Sequence, residues 1–208
     1  MTVVAAFDFD ATLTTRDTVV PFLRRFTTTT RFAASLVPHT LRVLPIAVRR
    51  DRDRLRELAT RLVFAGRTLS EIESEAVTHG ITITEQWLRP DTTARLRWHR
   101  EQGHRVVIVS ASYEPYVRVV ADGFDDVDVV ATRLHVVDGR CTGELDGPNC
   151  RGPEKLRRLD EWLAGSGLDR SSVTLFAYGD SAGDRELLAA ADHPHWVNEP
   201  LASVAPSV

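Results

Sequence analysis

The chain has 208 residues, 43% of them hydrophobic and 26% charged, with a formal net charge of −3. That composition is the one of a globular protein with a real apolar core, long enough for one domain with an insertion or a small second domain. A charge balance this close to neutral argues against a nucleic-acid binder or a membrane-surface protein, so neither partner is expected.

Val3 to Phe9 is an apolar run that reads as a first strand, reached too early for the basic and apolar regions of a signal peptide. Residues 16 to 87 read as mostly helical, with breaks at Thr27–Thr30, Pro38, Pro45, Gly66 and Gly80. Within them, Ser70-x-x-Glu73 has the pattern of a capping box that opens one helix. Phe32 to Val48 is the most apolar long stretch, but it is 17 residues long and holds Pro38, His39, Arg42 and Pro45. A membrane span needs about 20 predominantly apolar residues, so none is expected. After residue 88 the pattern alternates: a helix, the strand 105–110, a helix from about Glu114, the short strand 127–134, and a hairpin signalled by Asp138-Gly139. An amphipathic helix over 152–165, a strand over 173–180, a helix over 184–191 and a last short strand over 195–198 complete the chain.

Strands alternating with helices imply an α/β fold, a Rossmann-like doubly wound parallel sheet covered on both faces. The helical stretch interrupts it after the first strand. The expected division is therefore a core of residues 1–15 and 88–208 with an inserted helical cap of residues 16–87. Cys141 and Cys150 lack metal-ligand spacing and read as free thiols, which fits a cytoplasmic protein. Residues 16 to 67 carry 12 Arg and 4 acids, net +8. This is either a solvated helical face or a lid that attracts an anionic substrate.

Three apolar runs end in polar residues that an open α/β sheet would bring to one edge, where ligands bind. The first ends in Asp8-Phe9-Asp10-Ala11-Thr12, the second in Ser110 and Ser112, the third in Asp180 with Asp184 four residues on. Strand alternation would point Asp8 and Asp10 to the same side. Like charges so close make ionisation harder, and a hard divalent cation such as Mg²⁺ relieves the repulsion. A carboxylate there can also attack phosphorus. Of 26 basic residues only Lys155 is lysine. A compact point charge at the start of a helix suits a phosphoryl group where a planar guanidinium fits poorly. Tyr113 and Tyr116 serve either substrate contact or helix packing. His193 and His195 read as strand-edge residues, and Trp87, Trp98, Trp162 and Trp196 as core or interface anchors.

In this order and spacing the four motifs resemble the haloacid dehalogenase superfamily of phosphohydrolases, subfamily IB, related to phosphoserine phosphatase. "FDFDATLT", "VVIVSAS", "CRGPEKLRRL" and "AYGDSAGDREL" carry the resemblance over nearly the whole chain. The resemblance implies a Mg²⁺-dependent phosphomonoester hydrolase acting on a small phosphorylated metabolite through an aspartyl-phosphate. Asp8 would be the nucleophile and a metal ligand. Asp10 would be the general acid and base and bind metal through its backbone carbonyl. Ser110 and Lys155 would hold phosphoryl oxygens, and Asp180 and Asp184 would complete the metal site. It also implies the strand order 5-4-1-2-3. Ala11 stands where the family often has Gly, a replacement that calls for negative φ. "SASYEPY" replaces the Ser-Gly-Gly-Phe of phosphoserine phosphatases, which leaves phosphoserine as the second choice of substrate. A phosphotransferase, a non-catalytic phosphate sensor or scaffold, and a receiver-type signalling domain are the competing classes. A receiver has no 70-residue helical insertion.

Overall fold

The computed structural model describes residues 2–27 and 52–197. The apolar stretch 32–48, with its Pro38 and Pro45 breaks, and Asn198 lie outside the described residues. Seven strands are present among the described residues: β1 (Thr2–Phe7), β2 (Arg105–Tyr113), β3 (Val127–Thr132), β4 (Leu134–Val137), β5 (Arg140–Leu145), β6 (Val173–Gly179) and β7 (His193–Trp196). The helices among the described residues are α1 (Val19–Arg24), α2 (Arg52–Phe64), α3 (Leu69–Gln86), α4 (Pro90–Glu101), α5 (Glu114–Asp122), α6 (Pro153–Gly165) and α7 (Arg185–Ala189).

Five strands form one parallel sheet in the order β3-β2-β1-β6-β7. Counting only those five in sequence, this is the expected 5-4-1-2-3. Successive residues of the three central strands enter opposite faces. Ala5, Phe7, Val106, Ile108, Phe176 and Tyr178 join one buried cluster. Val4, Ala6, Val107, Val109, Leu175 and Ala177 join the other, with Leu159, Leu163, Leu187 and Leu188 of α6 and α7. Helices on both faces explain why these strands read as continuous apolar runs rather than alternating ones.

Several boundaries differ from the expected ones. β1 stops at Phe7, so Asp8 and Asp10 lie just beyond it. β2 continues past Ser110 to Tyr113, with a register break between those two residues. The stretch 127–134 is divided between β3 and the start of β4. β7 begins at His193, so His193 and His195 belong to the edge strand itself, with the His193 ring stacked on Phe176. The capping box of α3 is Thr68 with Glu71, not Ser70 with Glu73: Thr68 is extended and its side chain accepts from the Glu71 N–H, while Glu71 reaches back to the Thr68 N–H. The β4–β5 turn has φ 49° at Asp138 and 73° at Gly139, the paired positive values that a tight hairpin of this kind requires.

Within 16–87 the described residues form the helices α1, α2 and α3 joined by turns, with an isolated bridge from Thr68 to Arg140. The chain leaves and re-enters the sheet at one place, where Thr15 N donates to Trp87 O at 2.7 Å and Arg89 N to Leu13 O at 2.8 Å. An aromatic group joins the two parts. Phe22 of α1 and Phe64 of α2 pack on Tyr113, and Phe22 and His79 of α3 pack on Tyr116. Tyr113 Oη meets Thr60 Oγ1 at 2.9 Å and Tyr116 Oη meets Thr18 Oγ1 at 3.0 Å. Both tyrosines are fully buried, which places them in packing and not against a ligand. Trp87 packs against one apolar cluster, and Trp162 and Trp196 against the other. Cys141 and Cys150 are free and buried.

Gly80, in the middle of α3, packs closely on α5. A Cβ there would lie 2.5 Å from Val119 Cγ1 and 2.7 Å from its Cβ on α5. Val119 cannot rotate its own Cβ away, so α3 would have to lift. Gly80→Ala is expected to lower stability by about 1–3 kcal/mol despite alanine's better helix propensity. Urea unfolding checks this.

Candidate active site

The Asp8 N–H donates to Tyr178 O at 2.9 Å and so continues the β1–β6 ladder by one residue. The chain then turns sharply: Phe9 O accepts from the N–H groups of Thr12, Leu13 and Thr14 at 3.3, 2.9 and 3.0 Å. Ala11, in that turn, has φ 58°. The negative φ expected for a non-glycine residue here is thus not adopted. The left-handed turn is held by Thr14 Oγ1, which accepts from Ala11 N at 3.2 Å, and by Arg89, which donates to Ala11 O at 3.2 Å. Left-handed backbone costs an L-residue about 1–2 kcal/mol, part of which glycine loses again as unfolded-chain entropy. Ala11→Gly should therefore stabilise the protein by about 0.5–1 kcal/mol, read from urea unfolding.

Asp10 and Asp8 face different partners. Asp10 Oδ1 accepts from Thr18 N at 2.9 Å and Thr18 Oγ1 at 2.5 Å, and Oδ2 accepts from Ser112 Oγ at 2.7 Å. Burial, then the charge of Asp17, pushes the Asp10 carboxyl up to about 6, against the pull of these hydroxyl bonds. Asp8 instead meets Lys155, whose Nζ donates to Asp8 Oδ1 and to Asp184 Oδ1. Lys155 lies in the first turn of α6 and is 2% exposed. Burial works against its charge, but Asp8 and Asp184 outweigh that and hold the ammonium protonated. Burial raises Asp8 as well; Lys155 opposes this and Asp184 adds to it.

Asp184 is fixed by the turn after β6, where Ser181 N and Oγ both donate to its Oδ2 at 3.0 Å. A Cβ on Gly179 would sit 2.5 Å from Asp184 Cβ, so glycine is what lets the carboxylate approach the strand end. Thr12 Oγ1 reaches Asp180 Oδ1 at 3.5 Å, and burial followed by the charge of Asp184 raises Asp180. One oxygen from each of Asp8, Asp180 and Asp184 lies within 4.8 Å of the others. Three carboxylates gather there and Lys155 bonds two of them, so a divalent cation suits the set. The Asp10 side chain is not among them. Ser110 is buried at the break in β2, its Oγ accepting from Ser112 N at 3.0 Å.

Asp8, Asp10, Ser110, Lys155, Asp180 and Asp184 all line one cavity of about 670 Å³. The three strand ends thus converge as their spacing suggested. Two contributors are less legible in the sequence. Thr18 immediately precedes α1 and doubles as the donor pair for Asp10. Arg56 of α2 lines the same cavity, its guanidinium 5.0 Å from the centre of the Tyr113 ring. The first carries only a generic helix-start signal, and the second is one of many arginines in its stretch.

The pattern of haloacid dehalogenase-like hydrolases matches residues 5–189. Protein CicA of Caulobacter vibrioides is 37% identical over 189 residues, covering 90% of this chain and 82% of its own. A phosphoserine phosphatase of Halobacterium salinarum is 32% identical over 196 residues, covering 92% and 83%. Among solved structures, a Bordetella pertussis protein described as of unknown function superposes with a TM-score of 0.74 at 25% identity, covering 91% of this chain and 87% of that one. With the acidic strand ends, the buried lysine and the parallel sheet, these similarities make the chain a member of the haloacid dehalogenase-like hydrolase family.

Proposed function

We propose that the chain is a Mg²⁺-dependent phosphomonoester hydrolase, with residues 16–87 as a cap over the core site. The observation that carries this reading is Lys155 buried between Asp8 and Asp184, with Asp180 beside them. Asp8 attacks phosphorus to form an aspartyl-phosphate, and Asp10 gives its proton to the departing alcohol oxygen. Asp10 then takes a proton from the water that hydrolyses the intermediate, returning both carboxylates to their starting state. A carboxyl pushed to about 6 is suited to both halves of that exchange near neutral pH. Ser110 and Lys155 hold phosphoryl oxygens. Asp8, Asp180, Asp184 and the Asp10 carbonyl would hold Mg²⁺, which when bound neutralises charge on the phosphoryl oxygens. The Asp10 carboxylate, tied to Thr18 and Ser112, stays clear for proton transfer.

Arg24 and Arg56 line the cavity from α1 and α2 and would meet a further polar group on the substrate. Phosphoserine is a second reading, favoured by the 32% identity to the Halobacterium enzyme. Inorganic phosphate released from a panel of phosphate esters, phosphoserine among them, separates the two. With p-nitrophenyl phosphate, excess EDTA should reduce turnover by at least about a hundredfold and Mg²⁺ should restore it. Undiminished turnover in EDTA would refute the metal role.

A further inference from the structure

The cavity has two unlike sides. The carboxylates, Lys155 and Ser110 line one part of it, whereas α1 and α2 contribute five aliphatic side chains beside Arg24 and Arg56. On α1, Val19, Val20 and Leu23 line the cavity while Phe22 turns into the shared aromatic core. On α2, Leu55 and Ala59 are one helical turn apart on the cavity side. Val20 is 49% and Leu55 36% exposed, two of the five large hydrophobic side chains exposed to that degree among the described residues. A single exposed valine needs no explanation. Five aliphatic side chains from two helices on one cavity wall are a surface that water solvates poorly. The volume, about 670 Å³, is in the middle of the roughly 300–1,000 Å³ range of sites that enclose drug-sized ligands. That leaves space beyond the phosphoryl group, bounded in part by these five aliphatic side chains and in part by Arg24 and Arg56.

We infer that the substrate is a phosphate monoester whose leaving alcohol carries a carbon chain, seated against Val19, Val20, Leu23, Leu55 and Ala59. This rests on the hydrolase reading above and adds the class of leaving group to it. The chain leaves as the alcohol, its oxygen protonated by Asp10, and inorganic phosphate is the other product. An aliphatic wall gains more from methylene than from hydroxyl groups, because a hydroxyl pressed against it loses its bonds to water.

The test is kcat/KM for ethyl, propyl, butyl, pentyl and hexyl phosphate, with glycerol 3-phosphate as the polar three-carbon comparator and p-nitrophenyl phosphate as the activity control. At about 0.8 kcal/mol per buried methylene, kcat/KM should rise about three- to fourfold per carbon, and propyl phosphate should exceed glycerol 3-phosphate. Val20→Asn and Leu55→Asn, at exposed helix positions, should each lower the hexyl-to-ethyl ratio by about tenfold. A flat series in the unaltered protein, with p-nitrophenyl phosphate still hydrolysed, would overturn the inference and leave a wall that only excludes water. A rising series whose slope neither variant changes would overturn the assignment to this wall. Failure to release phosphate from every ester, the control included, would refute the hydrolase reading and the inference with it.

Discussion

Asp8→Asn is expected to abolish phosphate release, by at least about four orders of magnitude, in a protein that still folds. Asparagine keeps the shape of aspartate but cannot form the phosphoryl-enzyme bond. The fold should tolerate it well. In the native protein Asp8 and Asp184 share the single ammonium of Lys155, and burial pushes the Asp8 carboxyl up from its ordinary value. A raised folded pKa means that the ionised carboxylate opposes folding at neutral pH, and that this opposition fades as pH falls toward the unfolded value. Asparagine removes it, so the melting temperature without metal should match or exceed that of the unaltered chain. A residual rate within about tenfold of native would refute Asp8 as the nucleophile. A sharply lower melting temperature would instead make Asp8 a structural partner of Lys155.

Lys155→Arg should lower kcat/KM by about a hundredfold or more, although charge is conserved. Nζ donates at once to Asp8 and Asp184 in a space where Lys155 is 2% exposed. A guanidinium is wider and planar and would have to displace one carboxylate to enter. A shift of about 1 Å in a reacting group is enough for a loss of that size. Overpacking should also reduce stability by about 1–3 kcal/mol. Steady-state kinetics with p-nitrophenyl phosphate and urea unfolding together check both parts. Unchanged kinetics would return Lys155 to a purely structural role.

The convergence of Asp8, Ser110, Asp180 and Asp184 was legible because each follows an apolar run, and parallel strands buried on both faces leave few places for such runs to end. The start of α3 was not. "TLSEIE" contains two overlapping Ser/Thr-x-x-Glu patterns, Thr68 with Glu71 and Ser70 with Glu73, and local chemistry ranks them equally. A distant contact decides between them. Thr68 bridges Arg140, and Leu69 N donates to Gly139 O at 2.9 Å, so the hairpin beyond β3 holds residue 68 extended and the helix begins there. Arg56 was illegible for a similar reason. Its stretch is rich in arginine, and only the packing of α2 on Tyr113 turns this one toward the cavity. The positive φ of Ala11 was hidden because alanine carries no signal for it, whereas Asp138-Gly139 announced theirs.

The aromatic contact between helices α1 and α2 and the tyrosines beside the sheet bears on how the enzyme cycles. Swinging α1 and α2 away together would part Phe22 and Phe64 from Tyr113 and Tyr116 and break both tyrosine hydroxyl contacts. Each buried aromatic withdraws about 150–250 Å² from water, so an opening that exposed several at once would be populated rarely and slowly. Admission of substrate and escape of products would then run through small rearrangements of α1 and the first turns of α2, where Val20 and Leu55 are already partly open to solvent. Hydrogen exchange should find the amides around Tyr113 and Tyr116 as slow as the central strands, and those of α1 fast on the timescale of turnover.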